Sequence, residues 1–302
     1  MPSDAVIQTF SCPAPGPLGG RRVSVATCHG KERVLARPFR RGLDLTVVLA
    51  TGLDTDVFGT FSGERPRPAD APETCRRKAE AGMDHTGLDL GLASEGSFGA
   101  HPAFPWLAVG SEWLTFVDRR EGLVIAESLL VPRTNFDRRV VSPGDDLEDW
   151  LRRVGFPSHA LIARPHLGEG SDGSVDVSLI KGIRTSGELV RALGRCARAS
   201  SDGLVWLETD MRAHCNPTRR VAIRSLAFRL VRRIASPCPA CGAPGWGLCE
   251  GLAGLPCAWC GQPTERLRAE IWGCVACDRR EEKPRGDGRH AADPGDCSWC
   301  NP

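Results

Sequence analysis

Four Cys-x-x-Cys pairs, Cys238/Cys241, Cys257/Cys260, Cys274/Cys277 and Cys297/Cys300, fall within the last 65 residues of the chain. Two residues between cysteines let both thiolates turn onto one ion, so eight thiolates supply two tetrahedral four-cysteine sites. Zinc is the expected metal, with an iron–sulfur cluster as the alternative. Four thiolates leave no coordination position for water or substrate. The two Zn2+ ions are therefore expected to be structural, replacing a core that so short a segment cannot build. The gaps between successive pairs are 15, 13 and 19 residues. Pairing the first with the second and the third with the fourth gives two consecutive zinc ribbons. A nested pairing, second with third and first with last, is equally compatible with the spacing. Cys249 and His290 lie in the same stretch and read as bystanders.

The rest of the chain has room for one medium domain. Of 302 residues, 25% are charged and 41% hydrophobic, ordinary values for a globular protein. A net charge of +2 provides no global field toward nucleic acid or an acidic membrane. No apolar run approaches the ~18 residues that span a bilayer, so no membrane partner is expected. The Pro- and Gly-rich start lacks the pattern of a signal peptide. Fourteen cysteines outside a secreted context read as thiols and ligands in a reducing, cytoplasmic setting.

Residues 1–20 read as a flexible segment, 21–236 as an α/β domain with a mixed sheet and flanking helices, and 237–302 as a small double zinc-ribbon module. Alternating apolar residues predict strands over Arg22–Cys28, Leu43–Ala50 and Leu88–Ala93. Trp113–Asp118 and Leu123–Val131 predict a hairpin. Further strands are expected at His159–Ala163, Val175–Ile180 and Leu204–Leu207, with a short helix over Asp145–Val154. Pro38 is expected to end or kink the helix after Lys31. Asp70, Thr185 (with Glu188) and Asn216 read as helix N-caps. The last of these opens a helix to Ile234 with an apolar stripe and an arginine-rich remainder. Polar clusters recur just after strands, where open α/β sheets bind ligands.

Three of those clusters can build a phosphate and metal site. In Cys28-His29-Gly30-Lys31, glycine and lysine at a helix start offer N–H groups and a point charge to an anion. Glu73 and Lys78-Ala79 lie on one helix. Glu95 at a strand end can hold Mg2+. In their order, Lys31, Glu73 with Lys78-Ala79, and Glu95-Gly96 resemble the house-cleaning nucleoside triphosphate pyrophosphatases of the inosine-triphosphatase-like superfamily, over residues 22–131. That resemblance implies phosphate contacts from Lys31 and Lys78 and a metal held by Glu95. The match departs at Cys28 and His29, where the family has asparagine, and at Glu32, which follows the lysine at once. The whole chain, with its knuckles, also resembles an uncharacterised bacterial family built on a domain of unknown function.

A fourth cluster runs from Glu208 to Arg219. Glu208 and Asp210 share a face if the strand continues, so both can meet one divalent ion. His214 can act as base or ligand, and Arg212 or Arg219 can hold phosphate. The combined expectation is Mg2+-dependent hydrolysis of a nucleotide phosphoanhydride. Lys31, Glu95, Glu208, Asp210 and His214 would be catalytic, and His29, Lys31, Lys78, Arg212 and Arg219 would bind substrate. The other expectation is a non-enzymatic zinc-ribbon protein that binds nucleic acid or a partner protein. Trp246, Trp259, Trp272 and Trp299, interleaved with arginines, give that module an aromatic surface.

Overall fold

The computed structural model describes residues 17–58, 69–100, 108–131, 134–166 and 179–302. Nearly all of the segment 1–20 and most of the Val175–Ile180 stretch lie outside the described residues. Of that N-terminal segment, residues 17–20 are in view, and they form an ordered turn. Leu18 is buried in the core and the Gly20 N–H donates to the Asp44 carbonyl at 2.9 Å. Order thus begins before residue 21.

The first sheet contains β1 (Arg22–Val25), β2 (Thr46–Leu49), β3 (Leu90–Ala100), β4 (Ala108–Asp118) and β5 (Leu123–Val131), in the order β2-β1-β3-β4-β5. β1 is parallel to both β2 and β3, and β3-β4-β5 is an antiparallel meander. The sheet is mixed, as expected. Its helices are α1 (Glu32–Leu43) and α2 (Ala71–Thr86), joined by the later α5 (Pro217–Ile234). Side chains alternate across β4. Leu114 and Phe116 meet Leu35 and Phe39 of α1 and Leu226 and Leu230 of α5. Val117 turns the other way, to Ala79 and Met83 of α2. Pro38 does not end α1, which runs on to Leu43 with Pro38 and Phe39 buried. Their packing offsets a penalty of about 3 kcal/mol for a proline inside a helix.

The chain passes from β1 to β2 on one side and returns past β1 to β3 on the other. α1 and α2 accordingly cover opposite faces, and a crevice opens between β1 and β3 at their C-terminal ends.

Within residues 21–236 the mixed sheet is accompanied by further strands. A second sheet, in the order β6-β9-β7-β8, is built from β6 (Arg138–Val141), β7 (Leu161–Pro165), β8 (Ile180–Ile183) and β9 (Val205–Thr209). All its pairings are antiparallel. With α3 (Glu148–Val154) and α4 (Ser186–Ala199) it has its own core, including Trp150, Leu161, Leu189 and Leu207. α5 follows β9 in sequence yet packs its apolar stripe into the first sheet's core, so it joins the two halves. The expected caps are present. Asp70 and Asn216 accept from the backbone N–H groups of Glu73 and Arg219, and Thr185 and Glu188 form a full capping box.

The C-terminal module is an antiparallel three-stranded sheet of β10 (Gly247–Ala253), β11 (Leu267–Gly273) and β12 (Arg280–Pro284). Val275 packs onto the first core, which seats the module against the main body. Among the described residues no helix is long and apolar enough to cross a membrane.

The contact between α2 and β3 is close enough to require glycine at position 91. A Cβ there would lie 2.6 Å from Met83 Sδ and 2.8 Å from the Ala79 carbonyl oxygen. Gly91→Ala is expected to lower unfolding free energy by about 1–3 kcal/mol, since a helix backbone must move. Urea denaturation measures this, and an unchanged midpoint would show that α2 yields freely.

Candidate functional site

The switch-point crevice holds a small pocket to which separate elements contribute. Thr27, His29 and Lys31 follow β1, Thr55 follows β2, and Ser94, Glu95 and Gly96 lie on the part of β3 that outruns β1. Lys78 enters from α2 and Arg219 from the first turn of α5.

All three cations are buried. Lys31 Nζ donates to the Ser94 carbonyl at 2.7 Å. Burial, reinforced by the neighbouring Arg219 charge, lowers the Lys31 pKa to about 8, while Glu95 and Glu112 pull it back up. Lys78 Nζ donates to Glu95 Oε2 at 2.6 Å, in a pair whose side chains are each 9% exposed. Arg219 Nε and Nη2 donate to Glu112 at 2.6 and 3.3 Å, and its Nη1 donates to the Met211 carbonyl at 2.6 Å. Its guanidinium carbon lies 5.2 Å from the Phe98 ring centroid. Among the described residues, three cations thus meet two carboxylates here. Ser94 Oγ is buried here without a hydrogen-bond partner.

Of the residues singled out from sequence, His29, Lys31, Lys78, Glu95 and Arg219 come together in this pocket. His214 stands beside it, with its ring 5.4 Å from that of His29 and hydrogen-bonded to the His29 backbone. Burial and the Arg212 charge push the His214 pKa down.

The other singled-out residues are held elsewhere. Glu208 pairs across β9 with Arg138 and Ile162 in the second sheet. Its burial raises its pKa against the pull of Arg164 and Arg138. Burial also opposes the charge on Asp210, but hydrogen bonds from Arg212 prevail and its pKa falls. Arg212 Nε and Nη2 and the Arg212 backbone N–H all donate to the Asp210 carboxylate. Asp210 and Arg212 therefore satisfy each other rather than an ion and a phosphate. Glu73 sits at the start of α2 and binds Arg76 and Arg77, whose hydrogen bonds lower its pKa to about 2.

The carboxylates expected to hold Mg2+ are found in other company. Glu95 is engaged by Lys78 and Glu112 by Arg219. Among the described residues, the groups of three or more potential ligands consist only of cysteines. Glu112 itself escaped the sequence reading. Its signal was parity, because it shares a face with Leu114 and Phe116 on a strand whose neighbours at that spacing are apolar.

The eight knuckle cysteines form two tetrads, Cys238/Cys241/Cys274/Cys277 and Cys257/Cys260/Cys297/Cys300. The pairing is thus first with third and second with fourth, neither consecutive nor nested. Strand direction explains it. β10 is antiparallel to β11 with Gly247 opposite Gly273, so the knuckle before β10 meets the knuckle after β11. β12 then returns the chain to the other end, where Cys257 bridges to Ala292. Seven residues of β10 hold the first two knuckles about 20 Å apart, too far to share an ion.

Contacts across the tetrads, from Cys238 to Cys277, Cys241 to Cys274, Cys257 to Cys300 and Cys260 to Cys297, are 3.7–3.8 Å between sulfurs. A tetrahedron with metal–sulfur bonds of about 2.3 Å has edges of about 3.8 Å. Backbone N–H groups of Ala240, Trp259 and Ala276 donate to knuckle sulfurs at 3.2–3.4 Å. The donor sets therefore fit two metal ions of zinc's bond length. Cys249 and His290 belong to neither tetrad.

A family model described as a domain of unknown function, DUF6671, matches residues 78–302. The match takes in Lys78, Glu95, Glu112, Arg219 and all eight tetrad cysteines, while His29 and Lys31 precede it. No curated protein and no solved structure matches, so the pyrophosphatase resemblance gains no support from these comparisons.

The Arg219–Glu112 pair yields a stability prediction. Removing one member of a fully buried pair leaves the other charge uncompensated, which typically costs about 3–5 kcal/mol. Glu112→Ala is expected to show that loss in chemical denaturation, and Glu112→Gln, which keeps an acceptor for Arg219, is expected to lose less. Equal losses in both variants would mean that charge balance is not what the pair supplies.

Proposed function

For a chain that belongs to the DUF6671 family, we propose that the switch-point pocket receives the phosphate end of a nucleotide and that the α/β body hydrolyses its phosphoanhydride. The carrying observation is the convergence of Lys31, Lys78 and Arg219, from three different elements, on one pocket. Cations buried together in this way repel one another and are relieved by an anion. Phosphate oxygens suit them, because charge spreads over those oxygens during transfer. Ser94 Oγ adds a donor without a protein partner. His214, with its lowered pKa, is neutral at pH 7 and can accept a proton from water near His29. In this reading each cysteine tetrad holds one structural Zn2+.

The pyrophosphate and phosphate released from a panel of standard and damaged nucleoside triphosphates, with and without Mg2+, test the proposal. Lys31→Ala is expected to lower turnover about a hundredfold or more, the scale of losing one charge-stabilising donor. A flat panel, together with no nucleotide-dependent rise in melting temperature, would remove the reading.

A pH profile gives a second test. Because its folded-state pKa is about 8, Lys31 is charged at pH 7 and loses its proton as pH rises through 8. Nucleotide affinity is expected to weaken between pH 7 and 9, and Lys31→Ala to flatten that slope. An equally steep profile in the variant would place the titrating group elsewhere.

Elemental analysis is expected to give two zinc ions per chain, one for each tetrad. Chelation is expected to unfold the module, since binding energy of this kind is folding energy. A metal-free protein with the module intact would contradict this.

A further inference from the structure

The two cysteine centres are built alike but clothed differently. In each knuckle the third residue donates its backbone N–H toward the first cysteine or occupies the equivalent place. In the first centre these residues are Ala240 and Ala276, and in the second they are Trp259 and Trp299. The N–H to sulfur distances are 3.4 Å from Ala240, 3.2 Å from Ala276 and 3.4 Å from Trp259. Alanine therefore suffices to make the knuckle, and tryptophan adds nothing that the centre's geometry requires.

The indoles of Trp259 and Trp299 are 80% and 78% exposed. They stand on the two knuckles of one centre, each next to a ligand cysteine. Large aromatic side chains are highly buried on average, and paired exposed ones mark interaction surfaces. The module's other two tryptophans are covered. Lys283 Nζ lies 4.1 Å from the Trp272 centroid and 5.9 Å from that of Trp246, and the Trp272 indole N–H also donates to Glu270. The chain thus places a cation on its own indoles beside the first centre, and among the described residues no cation covers those of the second.

Charge identifies the occupant. Residues 237–302 carry seven Lys and Arg against nine Asp and Glu, a formal −2. Four thiolates around one divalent ion leave −2 per centre, so the filled module carries −6. A nucleic-acid backbone is repelled by that field, whereas a basic surface is drawn to it.

The geometry points to a docking site at the second centre for a basic segment of a partner protein. Trp259 and Trp299 receive its lysine or arginine side chains as Trp272 receives Lys283. The acidic module steers the segment there.

Fluorescence anisotropy of the full-length protein with labelled nona-arginine at physiological salt tests this. Labelled oligothymidylate and sedimentation velocity run in parallel. Trp259→Ala/Trp299→Ala is expected to weaken nona-arginine binding about tenfold. Trp259→Phe/Trp299→Phe is expected to retain part of the affinity. Peptide binding unchanged in the alanine double variant would overturn the proposal, because general electrostatics would then account for it. Oligothymidylate binding lost in that variant would assign the indoles to single strands instead. Self-association lost in it would assign them to a second copy of this chain. Zinc content measured on each sample separates a failure of docking from a failure of the zinc reading, and the peptide result stands whichever ion fills the tetrad.

Discussion

Arg219 is the side chain on which the two halves of the body depend. It sits in the first turn of α5, just after the connection from the second sheet, and reaches into the first. Its guanidinium bridges Glu112 on β4 and the Met211 carbonyl in that connection. With 4% side-chain exposure against 0% for Glu112, neither charge has water to fall back on. Each is tolerable only because the other is present. Gly96 belongs to the same arrangement. A Cβ there would come within 2.4 Å of Arg219 Nη2 and 2.8 Å of Glu112 Oε1, so the strand can pass only as glycine. The pair thereby sets where β3, β4 and α5 meet, and that meeting forms the wall of the pocket.

The pocket inherits its character from that constraint. Burial, with the charge of Arg219 adding to it, lowers the pKa of Lys31, and Lys78 is paired with Glu95 in turn. Topology adds the position. The strand order reverses at β1, the helices part to opposite faces, and β3 runs on past Leu92, where its pairing with β1 ends. Positive charge in a partly dehydrated crevice at such a point is the basis for proposing an anionic ligand there.

The C-terminal module obeys a different constraint. Its apolar interior is slight, and its order rests on two metal-sized tetrads joined by three short strands. Because each strand separates consecutive knuckles, the centres are interleaved rather than sequential. Each centre closes a loop containing one knuckle of the other. A metal in either tetrad would therefore also constrain a loop that carries half of the other.

Features legible in the chain alone were local ones. Caps at Asp70, Thr185 and Asn216 could be read because capping needs only a side chain and the backbone three residues on. The apolar stripe from Ile223 to Ile234 and the β4–β5 hairpin were legible by period. The ligand identity of the eight cysteines followed from two-residue spacing. Lys31 and Glu95 stood out because the sequence pattern puts each next to a strand or helix end, and Lys78 because its helix motif resembles a known one. Tertiary structure decided everything that depends on which strands become neighbours. β6 and the split into two sheets rest on pairings such as Arg138 with Glu208, which are far apart in sequence. The same partition removed Glu208 and Asp210 from the pocket, and it buried Arg219, which the sequence places among solvent-facing arginines. The knuckle pairing was undecidable from spacing, since gaps of similar length serve any order. Strand direction chose among them, because antiparallel neighbours bring the start of one strand to the end of the next.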